Sequence, residues 1–242
     1  HSTGTTTGTG VDDGNRARIN SFTLSDNQVQ TGQIVTAAAQ AETTGEAAAS
    51  KQARAAGRTL QASDLSDSDT AMCQIHLLGT GQKATEQHGW SDKYPCNQFS
   101  PIDKRKIFTE PGEYRAIIRS WSKGCTKEDT CMTESEATIT VTADDLTPGN
   151  QRPTVQISVD KAKVKTGEPV SLTAVSSDPD GGSSPAIMVG WEDGTVDEGI
   201  TSGSAATHVF STAGTYEVVA VANDGKDPSD PATTTITVEE SP

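Results

Sequence analysis

The 242-residue sequence predicts an all-β protein of two tandem antiparallel β-sandwiches, the first interrupted by a long insertion that can hold a short helix. Three observations carry this: strand-length alternation of apolar and polar residues, a repeat within the chain, and Gly, Pro, Asp and Thr clusters between the alternating runs. Composition alone points elsewhere. At 32% hydrophobic, 4% aromatic and a net charge of −14, the chain lies near the range of disordered sequences. Periodicity overrides that, because a chain that never packs has no reason to alternate.

Taken in order, the chain starts at His1 without Met or a secretory apolar stretch, as a processed protein or an excised fragment does. Residues 1–16, beginning HSTGTTTGTG, lack an apolar face and read as a flexible or O-glycosylated tether. The competing reading is an arm that adds as a strand to the open edge of a neighbouring subunit, since backbone hydrogen bonds carry such an addition and little hydrophobic sequence is needed. No Asn-x-Ser/Thr sequon occurs in the chain.

Residues 22–40 (FTLSDNQVQTGQIVTAAAQ) and 157–175 (ISVDKAKVKTGEPVSLTAV) match at an offset of 135, anchored by Val29, Thr31, Gly32 and Val164, Thr166, Gly167. Residues 107–123 match 209–225 at an offset of 102, and Ile139-Thr-Val141 faces Ile236-Thr-Val238 at 97. Two related units follow, 17–146 with an insertion at 43–105 and 154–242, joined by the turn-rich linker 147–153. Their strands alternate in parallel: Tyr114, Ala116, Ile118 and Ser120 on one face against Arg115 and Arg119, echoed by Tyr216, Val218, Ala220 and Ala222. Val35, Ala37 and Ala39 correspond to Val170, Leu172 and Ala174, and Ile187, Val189 and Trp191 form a further inward face. Gly112 and Gly214 permit a tight turn before Tyr114 and Tyr216, whose rings pack inward.

Within the insertion, Thr43-x-x-Glu46 has the form of a capping box ahead of the Ala-rich 47–56, with Gly57 placed to stop a helix. Three turns at most form there, and a flexible loop is the alternative. Four cysteines, Cys73, Cys96, Cys125 and Cys131, are an even set in a chain with little core, which favours an oxidising compartment. Of three pairings, Cys73 with Cys96 and Cys125 with Cys131 is preferred, since the latter closes the short polar loop CTKEDTC between two strand-like segments. Spacings of 23, 29 and 6 supply no tight thiolate pair for zinc.

The second unit carries Pro169-Val170-Ser-Leu172, Asp178-Pro-Asp180-Gly181, Trp191-Glu-Asp193-Gly194 and His208-Val-Phe210-x3-Gly214-x-Tyr216, and in these it resembles a polycystic kidney disease (PKD) domain. The resemblance covers nearly all of 152–240, although the family's usual Trp-Asp-Phe-Gly-Asp-Gly is here shortened to Trp191-Glu-Asp-Gly. The first unit keeps the Phe108-x3-Gly112-x-Tyr114 element and is a divergent PKD-like or Ig-like unit. The resemblance implies an extracellular β-sandwich serving as spacer or adhesion unit beside some other activity, and names no ligand.

Chemistry has few places to sit. With a pI near 4.6 and scattered basic residues, nucleic acid is excluded as a general partner. No apolar run approaches the roughly 18 residues that cross a bilayer as a helix. His76, His88 and His208 stand apart in sequence, and Gly-x-Ser-x-Gly, His-Glu-x-x-His and phosphate-loop motifs are absent, so no enzyme is expected. Residues 152–242 hold 14 Asp plus Glu against 5 Lys plus Arg. If the strand order is right, the loop of Asp178 and Asp180 and the loop of Asn223 and Asp224 emerge near Asp144 and Asp145, an oxygen-rich end suited to Ca²⁺. The competing reading is turn formation and surface solubility. No cofactor is required, and Ca²⁺ is the candidate ion. Of ten aromatics, Trp90, Tyr94 and Phe99 group around Cys96, with Trp121 on the outward face of its strand. They form either a carbohydrate platform or a satellite core under the insertion.

The expectation is therefore a non-catalytic display or adhesion module, secreted, periplasmic or at the cell surface, with other surface proteins or polysaccharide as partners. Its rivals are a filament or coat subunit that self-assembles through edge strands, and an accessory carbohydrate-binding region of a larger secreted hydrolase.

Overall fold

A computed structural model describes residues 2–3, 5–7, 17–79, 93–125 and 131–241. Its strands are β1 (Ser2–Thr3), β2 (Thr5–Thr7), β3 (Ala17–Leu24), β4 (Gln28–Gln30), β5 (Ile34–Thr43), β6 (Ala71–Gly79), β7 (Lys93–Pro95), β8 (Ile102–Ile107), β9 (Gly112–Ser122) and β10 (Thr133–Thr142). They form one sheet of order β1-β3-β5-β8 and a second of order β2-β10-β9-β6-β7, with β4 parallel to β10. Next come β11 (Thr154–Val159), β12 (Lys163–Lys165), β13 (Pro169–Ser177), β14 (Ala186–Gly190), β15 (Val196–Ile200), β16 (Ala205–Val209), β17 (Gly214–Asn223) and β18 (Ala232–Glu239). These build a three-stranded sheet, β11-β13-β16, and a five-stranded one, β12-β18-β17-β14-β15. Both sheet pairs have the layered, mainly antiparallel arrangement of an Ig-like sandwich.

The repeat survives into backbone geometry. Shifting β4 by 135 gives β12, and β12 runs parallel to β18 as β4 does to β10. The Thr31 N–H donates to the Thr142 carbonyl at 2.9 Å, and its counterpart Thr166 donates to Glu239 at 2.8 Å. Gly32 and Gly167 both have φ of 83°, and their N–H groups reach the carbonyls of Phe108 and Phe210 at 2.7 and 3.0 Å. The Val-x-Thr-Gly motif is thus a crossing point, where the chain leaves one sheet through a left-handed residue that glycine adopts without a Cβ penalty.

Compactness divides the chain into His1–Asn27, Thr36–Lys104 and Glu113–Ile139 on one side, and Gln28–Val35, Arg105–Gly112 and Thr140–Pro242 on the other. In the first unit Phe22, Leu24, Ala37, Ala39, Ile75, Leu77, Tyr114, Ala116 and Ile118 are buried, as alternation predicts. In the second, Val170, Leu172, Ala174, Ile187, Val189, Trp191, Phe210, Tyr216, Val218, Ala220 and Ile236 make one core. Tyr216 stacks on Phe210 at 4.3 Å, and its hydroxyl donates to the Thr212 carbonyl at 2.9 Å, closing the sheet corner. Outside that core, Val219 and Val221 join Ile107 and Val196 in a smaller apolar cluster.

The insertion does form a helix, α1 (Thr44–Ala55). Thr43 Oγ1 accepts from the Glu46 N–H at 3.1 Å, while the Glu46 carboxylate accepts from the Thr43 N–H at 3.0 Å. Gly57 takes φ of 70° as the helix ends, and the Arg58 N–H returns to the Ala53 carbonyl. The helix is not isolated: Ala53 and Glu46 are buried and the Thr43 hydroxyl donates to the Asp69 carbonyl, the docking that so short a helix needs.

The Thr-rich arm is where backbone outweighs composition. Ser2–Thr3 pairs antiparallel with the outer edge of β3, and Thr5–Thr7 with the edge of β10. Pairing of this kind draws on main-chain donors and acceptors alone, so a segment without apolar residues can still extend a sheet.

Candidate functional site

The cysteines pair as Cys73–Cys96 and Cys125–Cys131, with Cα separations of 5.7 and 6.5 Å, both inside the span a disulfide bridges. Cys73 lies on β6 and Cys96 directly after β7, so the first bond ties the edge strand of the insertion to its neighbour. The Cys96 N–H donates to Ala71 and its carbonyl accepts from Ala41, fixing the same corner through the backbone.

Beside that disulfide lies an open cleft of about 450 Å³ lined by Leu65, Asp67, Met72, Asn97, Phe99 and Lys123, among others. Phe99 keeps 41% of its surface exposed there, the one large aromatic among the described residues to do so. Asn97 holds the loop beneath it, its side-chain oxygen accepting from the Phe99 and Ser100 N–H groups at 3.0 and 3.1 Å. Tyr94 is half-buried under the Lys104 ammonium, 3.6 Å from the ring centroid. Trp90 falls outside the described residues. Trp121 corrects the expectation of an outward ring: it is 4% exposed, with the Lys93 ammonium of β7 5.4 Å from its ring centroid.

Asp180, Asp224 and Asp227 of the second unit meet the linker, each accepting from its N–H groups. Asp180 accepts from the Gln151 backbone at 2.7 Å and its side-chain amide at 2.9 Å, while Asp178 caps its own turn by accepting from the Asp180 N–H. Asp224 accepts from Lys226 and Asp227 N–H groups and from the Asn150 amide at 2.9 Å. Asn223 accepts from the Gly225 N–H. Asp227, buried, accepts from the Thr147 N–H at 2.9 Å and from the same Asn150 amide at 2.8 Å. Asp144 accepts from the Thr31 hydroxyl and pairs with Arg152; Asp145 is exposed nearby. Among the described residues, no three His, Cys, Asp or Glu side chains converge as metal ligands. Burial works to raise the carboxyls of Asp144 and Asp224, but the Thr31 and Arg152 donors on one and Asn150 on the other outweigh it and hold both below the usual aspartate range. For Asp227 the Asn150 amide is the leading cause of the same shift.

A third cluster surrounds Trp191. The shortened turn after β14 closes with the Trp191 N–H on the Thr195 carbonyl, and Glu192 takes a left-handed φ of 63°. Its carboxylate pairs with Lys106 of the same compact unit. Asp193 accepts from the Thr195 N–H and hydroxyl and lies 2.7 Å from His208 Nε2, while the His208 ring stacks on fully buried Trp191 at 4.6 Å. In sequence His208 stands apart from the other histidines, and its carboxylate partner is not legible there. Asp193 in the short turn after β14, with a histidine on a strand of the facing sheet, is the available signal. None of these clusters presents an exposed nucleophile beside a base; what they do chemically is lock turns and linker.

Comparison with known proteins agrees in part. No curated protein matches the chain. Among solved structures it is similar to the PKD domain of an M14-like peptidase from a Thermoplasmatales archaeon, at 26% identity over 38% of this chain and 99% of that one, with a TM-score of 0.34. It is also similar to the fibronectin(III)-like modules of Clostridium thermocellum CbhA, at 16% identity over 93% and 94% of the two chains, with a TM-score of 0.31. The N-terminal Ig1-2 module of a Drosophila receptor protein tyrosine phosphatase is 12% identical over 94% of this chain and all of that one, with a TM-score of 0.33. The family model that matches is the PKD domain, over 150–238, the stretch that holds the Trp191 core, the acidic loops and the linker contacts. Residues 150–238 of this chain are a PKD domain.

Proposed function

We propose that the chain is a non-catalytic display or adhesion module of an extracellular or cell-surface protein. The observation that carries this reading is a PKD domain in the same chain as a sandwich stapled by two disulfides. Disulfides persist outside the reducing cytosol, and a PKD-type sandwich is an interaction or spacer module. No helix among the described residues is long and apolar enough to cross a membrane. Labelling of intact native cells with a membrane-impermeant amine reagent tests the reading. Labelled or secreted chain is the expected result; chain protected until lysis overturns it.

The cleft beside Cys73–Cys96 favours one second reading, an accessory carbohydrate-binding role. An exposed ring flanked by Asn97, Asp67 and Lys123 supplies a stacking face and polar groups for hydroxyls. Retention on insoluble cellulose or chitin that disappears in Phe99→Ala supports it, and equal elution of both proteins rejects it.

A further inference from the structure

The internal repeat places two equivalent sheet edges in the chain, and among the described residues one of them carries a strand of the arm and the other does not. β3 and β11 correspond at the offset of 135, and their pairing with the next strand is the same: Leu24 faces Ala37 as Val159 faces Leu172. On β3 the outer edge carries β1, with Ser2 opposite Leu24 and Thr3 opposite Thr23. Among the described residues, β11 pairs with β13 alone and ends its sheet. It has none of the features that blunt an edge. Between Thr154 and Val159 there is no charge, no proline and no bulge, and its exposed residues are Thr154, Gln156 and Ser158. β3, in contrast, is interrupted by a register shift between Ile19 and Ser21.

We propose that the outer edge of β11 is a strand-acceptor site for the Ser2–Thr7 arm of a second copy of this chain. The occupant follows from the edge already filled, since β3 shows which segment this type of edge takes and in which direction. Carrying the β1 register across the repeat sets Ser2 and Thr3 opposite Val159 and Ser158, and Thr5, Thr6 and Thr7 opposite Gln156, Val155 and Thr154. The arm and the acceptor strand therefore have matching lengths. On its own unit the arm is divided between two sheets, in ladders of two and three residues. On β11 it runs along a single unbroken edge, and main-chain hydrogen bonds supply the attraction without apolar side chains. Arm and acceptor are different surfaces of the chain, so the contact is heterologous: reciprocal exchange closes a dimer, and one-way exchange builds rings or open chains.

Two measurements on the full chain test this. Thr3→Cys and Ser158→Cys are made in separate, differently tagged proteins, mixed at high concentration and oxidised. A disulfide joining the two tags is expected, and since each protein carries one new cysteine it cannot arise within a chain. Absence of that product, or Ser158→Cys linking only to itself, overturns the assignment. Sedimentation velocity supplies the second measurement: wild-type chain grows with concentration, while Gln156→Lys, which sets a charge on the exposed face of the edge strand, associates at least tenfold more weakly with an unchanged thermal melt. Wild-type chain that stays monomeric, or association indifferent to Gln156→Lys, overturns it equally. The surface-module reading rests on cell labelling and survives either failure.

Discussion

Asp193 joins a turn to a core. Its carboxylate takes two hydrogen bonds from Thr195 and one contact from His208, whose ring covers Trp191. Burial acts to raise this carboxyl, but the bonds from His208 and Thr195 outweigh it and the group titrates below the ordinary aspartate value of 3.8. A depressed value means stability that is present above pH 3.8 and is lost as pH falls through the folded-state value. Asp193→Asn is expected to cost about 1–3 kcal/mol in urea unfolding at pH 7 and to flatten the acid limb of the stability curve. Glu46 behaves in the opposite sense. Burial pushes its carboxyl up against the pull of the Thr43 N–H, so its contribution is full below the usual glutamate range and fades as pH rises through the folded-state value. Glu46→Gln keeps the capping geometry and is expected to remove that decline, with thermal melts from pH 4 to 8 as the check. The acidic linker contacts give a third expectation. Because Asp144, Asp180, Asp224 and Asp227 already accept from Thr31, Arg152, Gln151, Asn150 and Thr147, a chelator should leave the melting temperature unchanged. A shift of several degrees would place a cation at this end of the domain.

Elements explain which parts of the chain were legible. The β4 and β12 crossings, the inward faces of β9 and β17 and the capped helix all rest on local chemistry, alternation or a side-chain cap, which a sequence states directly. Thr43→Ala is expected to remove about 1 kcal/mol, read as lost helical ellipticity and a lower urea midpoint. Trp121 departs from its expected outward face because alternation assigns a face without saying what lies on it, here Lys93 of another strand. The Asn150 bridge between Asp224 and Asp227 was hidden for the same reason, since amide and carboxylates are separated by 74 and 77 residues. Residue types offer the arm as a tether or as a strand added to a neighbouring subunit, and its pairing with β3 and β10 of its own unit is not legible there because main-chain pairing leaves little trace in residue type. On the outer face of β9, Arg115 and Arg119 find Glu136 and Glu134 across the ladder, pairs that at this exposure contribute at most about 1 kcal/mol each.

At the scale of the whole molecule, a chain with 4% aromatic residues holds two sandwiches because it closes them in other ways. In the second unit the core is centred on Trp191, Phe210 and Tyr216. In the first, many inward positions are alanine, and two disulfides close loops of sequence separation 23 and 6. By the chain-entropy relation these limit the unfolded ensemble by about 3 and 2 kcal/mol. That dependence ties stability to an oxidising compartment and so links fold to location. A peptide map of unreduced protein, taken under thiol-blocking conditions from its native source, tests this link most directly. The expected map contains Cys73 joined to Cys96 and Cys125 joined to Cys131, with no blocked thiol. Four blocked thiols, or any other pairing, would contradict it.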